Sequence, residues 1–392
     1  MNYALCIALC ITLTFTACGG DVGSGEDPDG VKTMAAGTSY TVAIKNDGTL
    51  WAWGNNFRGQ LGNGKGNQVG ENVNYDEILP IPIMPDKKNW VLVSAGTSHT
   101  VAIDSDDILY TWGEGNSGKL GNGSQNNCFV PTPIDKKWKI AAAGDSHTVA
   151  IDVDDILWTW GGNAYGQLGN DTTGGSSNDP IKIRGDKKWK SVSAGPYTTI
   201  AVDMNDKLWI WGSNNHGQMG NNTGGSSGNV QNTPVMLDGE WKSVALGNSF
   251  TIAINSVGEL YGWGRVDYGA LGIGHFNNRK ELTPVRIVEG KDWESVSAGS
   301  FHTIAKKKNG EIWGWGNNEY GQLGYPKTTL FLYYPTRIGT AADLVAVSAG
   351  INHSTALRSS GILWTWGSNE SGQLGDDTRG SDDHDPAPVK WP

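Results

Sequence analysis

The sequence predicts an all-β fold: a single seven-bladed β-propeller, built from repeats of about 51 residues and closed into a ring. Two observations carry that prediction. The first is a phrase that recurs seven times, an aromatic residue, any residue, Trp-Gly, then a loop closing on Gly-Gln-Leu-Gly. Its Trp-Gly pairs are Trp53-Gly54, Trp112-Gly113, Trp160-Gly161, Trp211-Gly212, Trp263-Gly264, Trp315-Gly316 and Trp366-Gly367, 48 to 59 residues apart. The second is an upstream Ala-Gly or Leu-Gly, at Gly37, Gly96, Gly144, Gly195, Gly247, Gly299 and Gly350, each 17 residues before its partner glycine. Length variation therefore collects in the other half of each repeat, as it does where rigid cores alternate with surface loops.

Each unit reads as four strands. Trp189-Lys190-Ser191-Val192-Ser193-Ala194 alternates polar and apolar at period two, the strand signature. Thr148-Val149-Ala150-Ile151 is a second strand, and a turn such as Asn46-Asp47-Gly48 or Asp154-Asp155 joins it to a third. The third strand, Leu157 to Gly161 in one copy, carries two Trp spaced by two and so on one face. A fourth short strand is expected to start at prolines, among them Pro133, Pro180, Pro234, Pro284, Pro335 and Pro388.

Seventeen of the 18 Trp fall in three columns of the repeat: Trp90, Trp138, Trp189, Trp241 and Trp293 open units, and the rest stand in the Trp-x-Trp-Gly phrase. Each can bury roughly 150–250 Å², enough to fill the gap between blades. Trp391 lies where an eighth unit would open, while Val31 holds that column in the first unit. The ring is expected to close there.

Trp53-Gly54-Asn55-Asn56-Phe57-Arg58-Gly59-Gln60-Leu61-Gly62 and Ala142-Ala143-Gly144-Asp145-Ser146-His147-Thr148-Val149-Ala150 resemble the repeats of the regulator of chromosome condensation family. The resemblance covers residues 31–391 and implies the seven-bladed propeller. Unit five departs from it, with Gly264-Arg265-Val266-Asp267-Tyr268-Gly269-Ala270-Leu271 lacking both the Asn and the Gln. Activities implied by the family include nucleotide exchange, light sensing and enzyme inhibition. Light sensing implies Trp after each blade glycine, where this chain has Thr38, Thr97, Asp145, Pro196, Asn248, Ser300 and Ile351.

The N-terminus bears on location. Ala4 to Ala17 is an apolar run, too short to span a membrane and suited to a signal peptide. Phe15-Thr16-Ala17-Cys18 resembles a bacterial lipoprotein signal, which implies cleavage after residue 17 and a lipid on Cys18. Residues 18–30 then form a flexible acidic tether, and 31–392 the propeller. The expected location is extracytoplasmic, lipid-anchored at the outer membrane or cell surface, with that lipid the only membrane contact. Cys128 is the single cysteine left in the propeller, so the core is expected to hold without a disulfide. Apolar content of 38% rises to about half once the 56 glycines are counted, the globular norm. A net charge of −10 argues against a nucleic-acid partner.

No string of residues supports catalysis, a metal or another cofactor. His99, His147, His302 and His353 share a column with Tyr40, Thr198 and Phe250, which favours a side chain holding a blade turn over a metal ring. Asp104-Ser105-Asp106-Asp107, Asp152-Val153-Asp154-Asp155 and Asp203-Met204-Asn205-Asp206 are too short for calcium loops and suit hairpin turns. Gly59 to Gly66 nearly matches a phosphate loop but ends in Gly where Ser or Thr would hold Mg²⁺.

Binding is what remains. The variable loops all join the same two strands and are expected on one face. The longest, 28 residues from Gly62 to Trp90, carries Tyr75, Ile78 and Leu79; unit six carries Phe331, Tyr333 and Tyr334. These six are the candidate partner-binding residues, since exposed aromatics among polar loops are what interface anchors look like. The expected function is a non-catalytic, envelope-anchored, monomeric scaffold or inhibitor that binds a protein. A guanine-nucleotide exchange factor for a small GTPase, were the chain intracellular, and a carbohydrate-binding module are the alternatives.

Overall fold

The computed structural model describes residues 29–67, 71–226, 228–274, 279–380 and 382–392; the signal, Cys18 and most of the tether lie outside them. Seven antiparallel sheets follow one another, each made of four consecutive strands. In the first blade these are β1 (Val31–Ala36), β2 (Tyr40–Lys45), β3 (Leu50–Gly54) and β4 (Glu77–Ile83). The last comprises Leu344–Ala349, His353–Arg358, Leu363–Gly367 and Asp383–Pro388. Among the described residues no blade borrows a strand from another.

The two sides of a blade differ because strand residues alternate. In β2, Val42 and Ile44 face the second blade, while Ala43 faces the seventh. The small alanine leaves room for the Trp of β3 on the same side. Every junction between blades repeats this match of branched aliphatics against Ala and Trp. Between the second and third blades, Val101, Ile103, Leu109 and Ile134 meet Trp138, Ala141, Ala150 and Trp160. The ring closes in the same way, with Leu357, Leu363 and Val389 against Val31, Met34, Ala43 and Trp53. Trp138 lies 5.7 Å from Trp160, and Trp391 takes the equivalent place in the first blade, 5.7 Å from Trp53 and 5.6 Å from Trp51. The last blade thus supplies the aromatic that Val31 is too small to be.

A polar contact pins each apolar junction. The carbonyl of the residue between the Gly and Leu of each Gly-Gln-Leu-Gly accepts two hydrogen bonds from the next blade, one from the buried indole and one from a hydroxyl of its second strand. Gln60 O accepts from Trp112 Nε1 at 2.9 Å and Thr100 Oγ1 at 2.7 Å. Lys119 O serves Trp160 and Thr148, Gln167 O serves Trp211 and Thr199, and Gln218 O serves Trp263 and Thr251. Ala270 O does so for Trp315 and Thr303, and Gln322 O for Trp366 and Ser354. Gln373 O closes the ring on Trp53 and Thr41, each at 3.0 Å. Only a main-chain atom is needed, which is why Lys119 and Ala270 keep this contact in place of Gln.

Two glycine columns are fixed by close approach. A Cβ at Gly96 would lie 2.3 Å from Gly144 O, and one at Gly350 would lie 2.5 Å from Gly37 O, because the innermost strands converge on the ring axis. Gly54 has a φ of 97°, and its Cβ would meet Ser39 O at 2.6 Å.

The prolines require a correction. They sit within the outer strands rather than at their starts: Pro180 is the fifth residue of Ser176–Lys182 and Pro335 the fifth of Phe331–Arg337. The true column is Pro80, Pro131, Pro180, Pro234, Pro284, Pro335 and Pro386, which moves the second-blade member from Pro133 to Pro131 and the last from Pro388 to Pro386. Each stands where pairing with the third strand shifts register, as between Thr159 and Gly161. There a proline costs no ladder hydrogen bond.

Trp160 is fully buried. Trp160→Ala should destabilise the ring by about 3–5 kcal/mol in denaturant unfolding; a loss below about 1 kcal/mol would show that the Trp column is not core.

Candidate binding face

The turns after the first strands and the loops between third and fourth strands share one face, here called upper: Asn55 N donates to Ser39 O at 2.8 Å and Glu114 N to Ser98 O at 2.8 Å. Hairpins between second and third strands share the lower face with the connections between blades, as Trp90 N to Gly48 O at 3.1 Å shows. The variable loops therefore do lie together.

Their bases are rigid for reasons written in the repeat. Asn56 Oδ1 accepts from Leu61 N at 3.1 Å, and Asn163, Asn214, Asn318 and Asn369 repeat that bond. The Gln side chain folds back to accept from the backbone two residues earlier, as Gln60 Oε1 does from Arg58 N at 2.8 Å. The second and fifth blades have Gly115 and Val266 at the Asn position, and there the loop tightens into short 3₁₀ turns, Asn116–Gly118 and Asp267–Gly269.

The six candidate residues fall into two separate groups on this face, in the first and sixth blades. Ile78 and Leu79 lie half-buried in β4, and Ile78 packs over Gly372 of the seventh blade. Tyr75 precedes that strand, half-buried. Phe331 and Tyr333 stand in the sixth blade's outer strand, their rings 6.2 Å apart, with Phe331 5.8 Å from Tyr268 of the fifth blade. Tyr334 is 62% exposed.

Further aromatics complete the rim. Tyr165 packs on Tyr197 at 4.8 Å and Tyr268 on Phe301 at 4.7 Å, with Arg265 5.6 Å over Phe301. They occupy two columns, the residue before Gly-Gln-Leu-Gly and the second after Ala-Gly. A signal was present: these columns vary from unit to unit while their neighbours stay fixed. At the axis, the seven Gly turns surround a cavity of about 190 Å³ lined by Thr38, Thr97, Asp145, Pro196, Asn248, Ser300 and Ile351. Asp145 is its one charge. Burial pushes that carboxyl up, while Thr97 Oγ1 donates to it at 2.5 Å.

The histidines pack against the glycine of their own blade's first turn and also bridge to the next blade. His99 Nε2 meets Thr148 Oγ1 at 2.9 Å, and His147, His302 and His353 meet Thr199, Ser354 and Thr41. Each hydroxyl already donates its proton to the junction carbonyl, so the histidine must donate, which fixes a neutral Nε2–H imidazole. Nδ1 is then buried without a partner in all four. Burial pushes His147 and His302 down to about 3 and His353 to about 4, and holds His99 well below the usual range. The first Asp of each acidic hairpin serves its turn: Asp104 Oδ1 accepts from Asp106 N at 3.0 Å and Ile108 N at 2.9 Å. Among the described residues, no three His, Cys, Asp or Glu side chains converge as a ligand set.

A family model, the RCC1-like domain, matches residues 20–293, and RCC1 repeat models match residues 309–357 and 360–392. The chain belongs to the RCC1-like family. An ultraviolet-B receptor of Arabidopsis thaliana is 30% identical over 354 residues, 89% of this chain and 67% of the receptor. The human E3 ubiquitin-protein ligase HERC2 is 31% identical over 303 residues, 74% of this chain but 6% of the ligase. Among solved structures, Prp20p of Saccharomyces cerevisiae, described with its binding properties to Gsp1p and histones, superposes with a TM-score of 0.77 at 20% identity, covering 88% of this chain and 87% of that one. Human WBSCR16 gives 0.74 at 20% identity, with 88% and 95% covered. The structural likenesses establish the fold.

The two faces of this RCC1-like ring differ in charge. Eight of the 30 Lys and Arg belong to the upper half, against sixteen of the 40 Asp and Glu. The lower half holds the other 22 basic residues and 21 acidic ones, close to balance. Several of its lysines are tied down, among them Lys87 on Asp104 at 2.7 Å and Lys187 4.1 Å over Trp209.

The buried histidines make stability depend on pH. Below about pH 6.5 the unfolded chain protonates them while the folded ring does not, so stability is full above that pH and falls as the pH drops toward 4, by up to about 1.4 kcal/mol per unit for each. His302→Phe, the residue type of Phe250 in the same column, should flatten the slope of unfolding free energy between pH 6 and 4.5 by about one proton. An unchanged slope would contradict the account.

Proposed function

We propose that this RCC1-like propeller is a non-catalytic protein-binding module, anchored to the bacterial envelope through Cys18, whose contact face is the upper one. The observation that carries the reading is the division of labour within the repeat. The two repeated columns most like metal or catalytic sites are engaged in the fold: the histidines bridge blades and the first hairpin aspartates hold turns. Among the described residues the large aromatics left exposed are Tyr197, Tyr268 and Tyr334, at 38%, 41% and 62%, and they belong to the upper rim. Aromatic side chains supply large, rigid contact area at low entropic cost. The propeller also begins on the opposite face: Gly30 O accepts from Asn46 N, and Val31 N donates to Gly361 O, both at 2.8 Å. A lipid reached through residues 18–30 would therefore attach on the side of the ring opposite the rim.

Tyr197→Ser, Tyr268→Ser and Tyr334→Ser together should cut capture of envelope partners by the purified mature protein at least about tenfold, with the melting midpoint nearly unchanged. Undiminished capture would place contact elsewhere, and binding of polysaccharide in place of protein would favour the carbohydrate module. Lipid labelling should vanish in Cys18→Ala; an unprocessed cytosolic chain would overturn the envelope assignment and favour nucleotide exchange on a small GTPase.

A further inference from the structure

We infer that the partner seated on the upper face is a protein segment rich in Lys and Arg, docked over the loops of the sixth and seventh blades. The inference rests on the proposed contact face and adds the chemistry of what covers it. Among the described residues the upper half of the ring carries a net charge of −8 and the lower half +1, because lower-face carboxylates are balanced by the lysines of the blade connections.

Within the upper half the excess is local. Among the described residues Glu319 of the sixth blade and Glu370 and Asp377 of the seventh are exposed and in no ion pair, whereas their neighbours Asp382 and Asp76 are matched by Lys327 and Arg379, each at 2.7 Å. Apolar surface adjoins the first of these carboxylates: Asn318 N donates to Leu330 O at 2.8 Å, which sets Leu330, 51% exposed, beside Glu319. Tyr320 feels the same field: burial raises its phenol first, and Glu319, Glu370 and Asp382 raise it further.

A free carboxylate beside an exposed aliphatic or aromatic side chain suits the two-part chemistry of Lys and Arg, whose apolar stems cover such surface while the charged heads reach the acids. A face of one sign also speeds encounter with an oppositely charged partner and rejects anions. The same field disfavours nucleic acid and anionic lipid here.

The test uses mature full-length protein, dodecalysine and its Nε-acetylated form, with titration calorimetry at 20 and 200 mM NaCl. Dodecalysine should bind at 20 mM, at least tenfold more weakly at 200 mM, and its acetylated form should not bind. Glu319→Lys, Glu370→Lys and Asp377→Asn combined should weaken it at least tenfold. A lower-face set of equal charge change, Asp86→Lys, Asp154→Lys and Asp186→Asn, should leave it unaltered. No binding at 20 mM, or equal loss from both sets, would overturn the inference. Native-partner capture separates the two levels. Capture lost with the rim tyrosines but kept in the upper charge variant leaves the contact face standing and removes the basic partner; capture kept in both removes the face itself.

Discussion

One carbonyl per blade organises this protein. The residue between the Gly and Leu of Gly-Gln-Leu-Gly turns its C=O toward the next blade and receives both an indole N–H and a hydroxyl. Burying a main-chain acceptor is costly unless it is paired, and pairing it twice satisfies both lone pairs. The same contact requires the loop to end on glycine, since a Cβ at Gly62 would sit 2.7 Å from Trp112 Nε1. It also requires Ala beneath the indole and a hydroxyl on the second strand. Most of the fixed columns of the repeat follow from this one geometry, and the histidine follows at one remove, by donating to that hydroxyl.

Because the constraint falls on some columns and spares others, the repeat separates stability from function. Positions between the fixed ones differ from blade to blade without disturbing a junction. Those on the upper face are the turn after each first strand, the residue before Gly-Gln-Leu-Gly, and the loops that follow. A ring of this kind can change its rim and its upper charge while the Trp and Ala columns stay as they are. The long first-blade insertion shows the tolerance: its Asp76 accepts from Asn56 N at 2.9 Å and pairs with Arg379 of the last blade, adding a contact to the closing junction.

Periodicity made the architecture legible, since a 17-residue spacing kept seven times admits few folds. Where the sequence misled, the cause was register. Proline reads as a strand start when its missing donor is the only consideration, but an outer strand also tolerates it at a bulge, and only pairing shows that Pro180 and Pro335 sit there. Closure was readable in outline from Trp391; that it fills the first blade's own aromatic column, with no strand exchanged, needed coordinates. The candidate site was half legible. Tyr334 stood out as an aromatic in a variable loop, but Tyr165, Tyr197, Tyr268 and Phe301 lie within the repeat phrases, where attention goes to the residues that recur. Their pairing across blades is long-range and leaves no trace in local pattern.

The most direct test of the account is hydrogen exchange at the indoles, followed by NMR on protein carrying ¹⁵N-labelled tryptophan. The indole protons of Trp53, Trp112, Trp160, Trp211, Trp263, Trp315 and Trp366 should exchange only through global unfolding, with one common dependence on denaturant. Trp53 is the decisive probe, because its acceptor, Gln373 O, lies at the far end of the chain. If its proton exchanged through a separate opening of lower free energy than the other six, the seventh junction would not be equivalent and the ring would not be held as described.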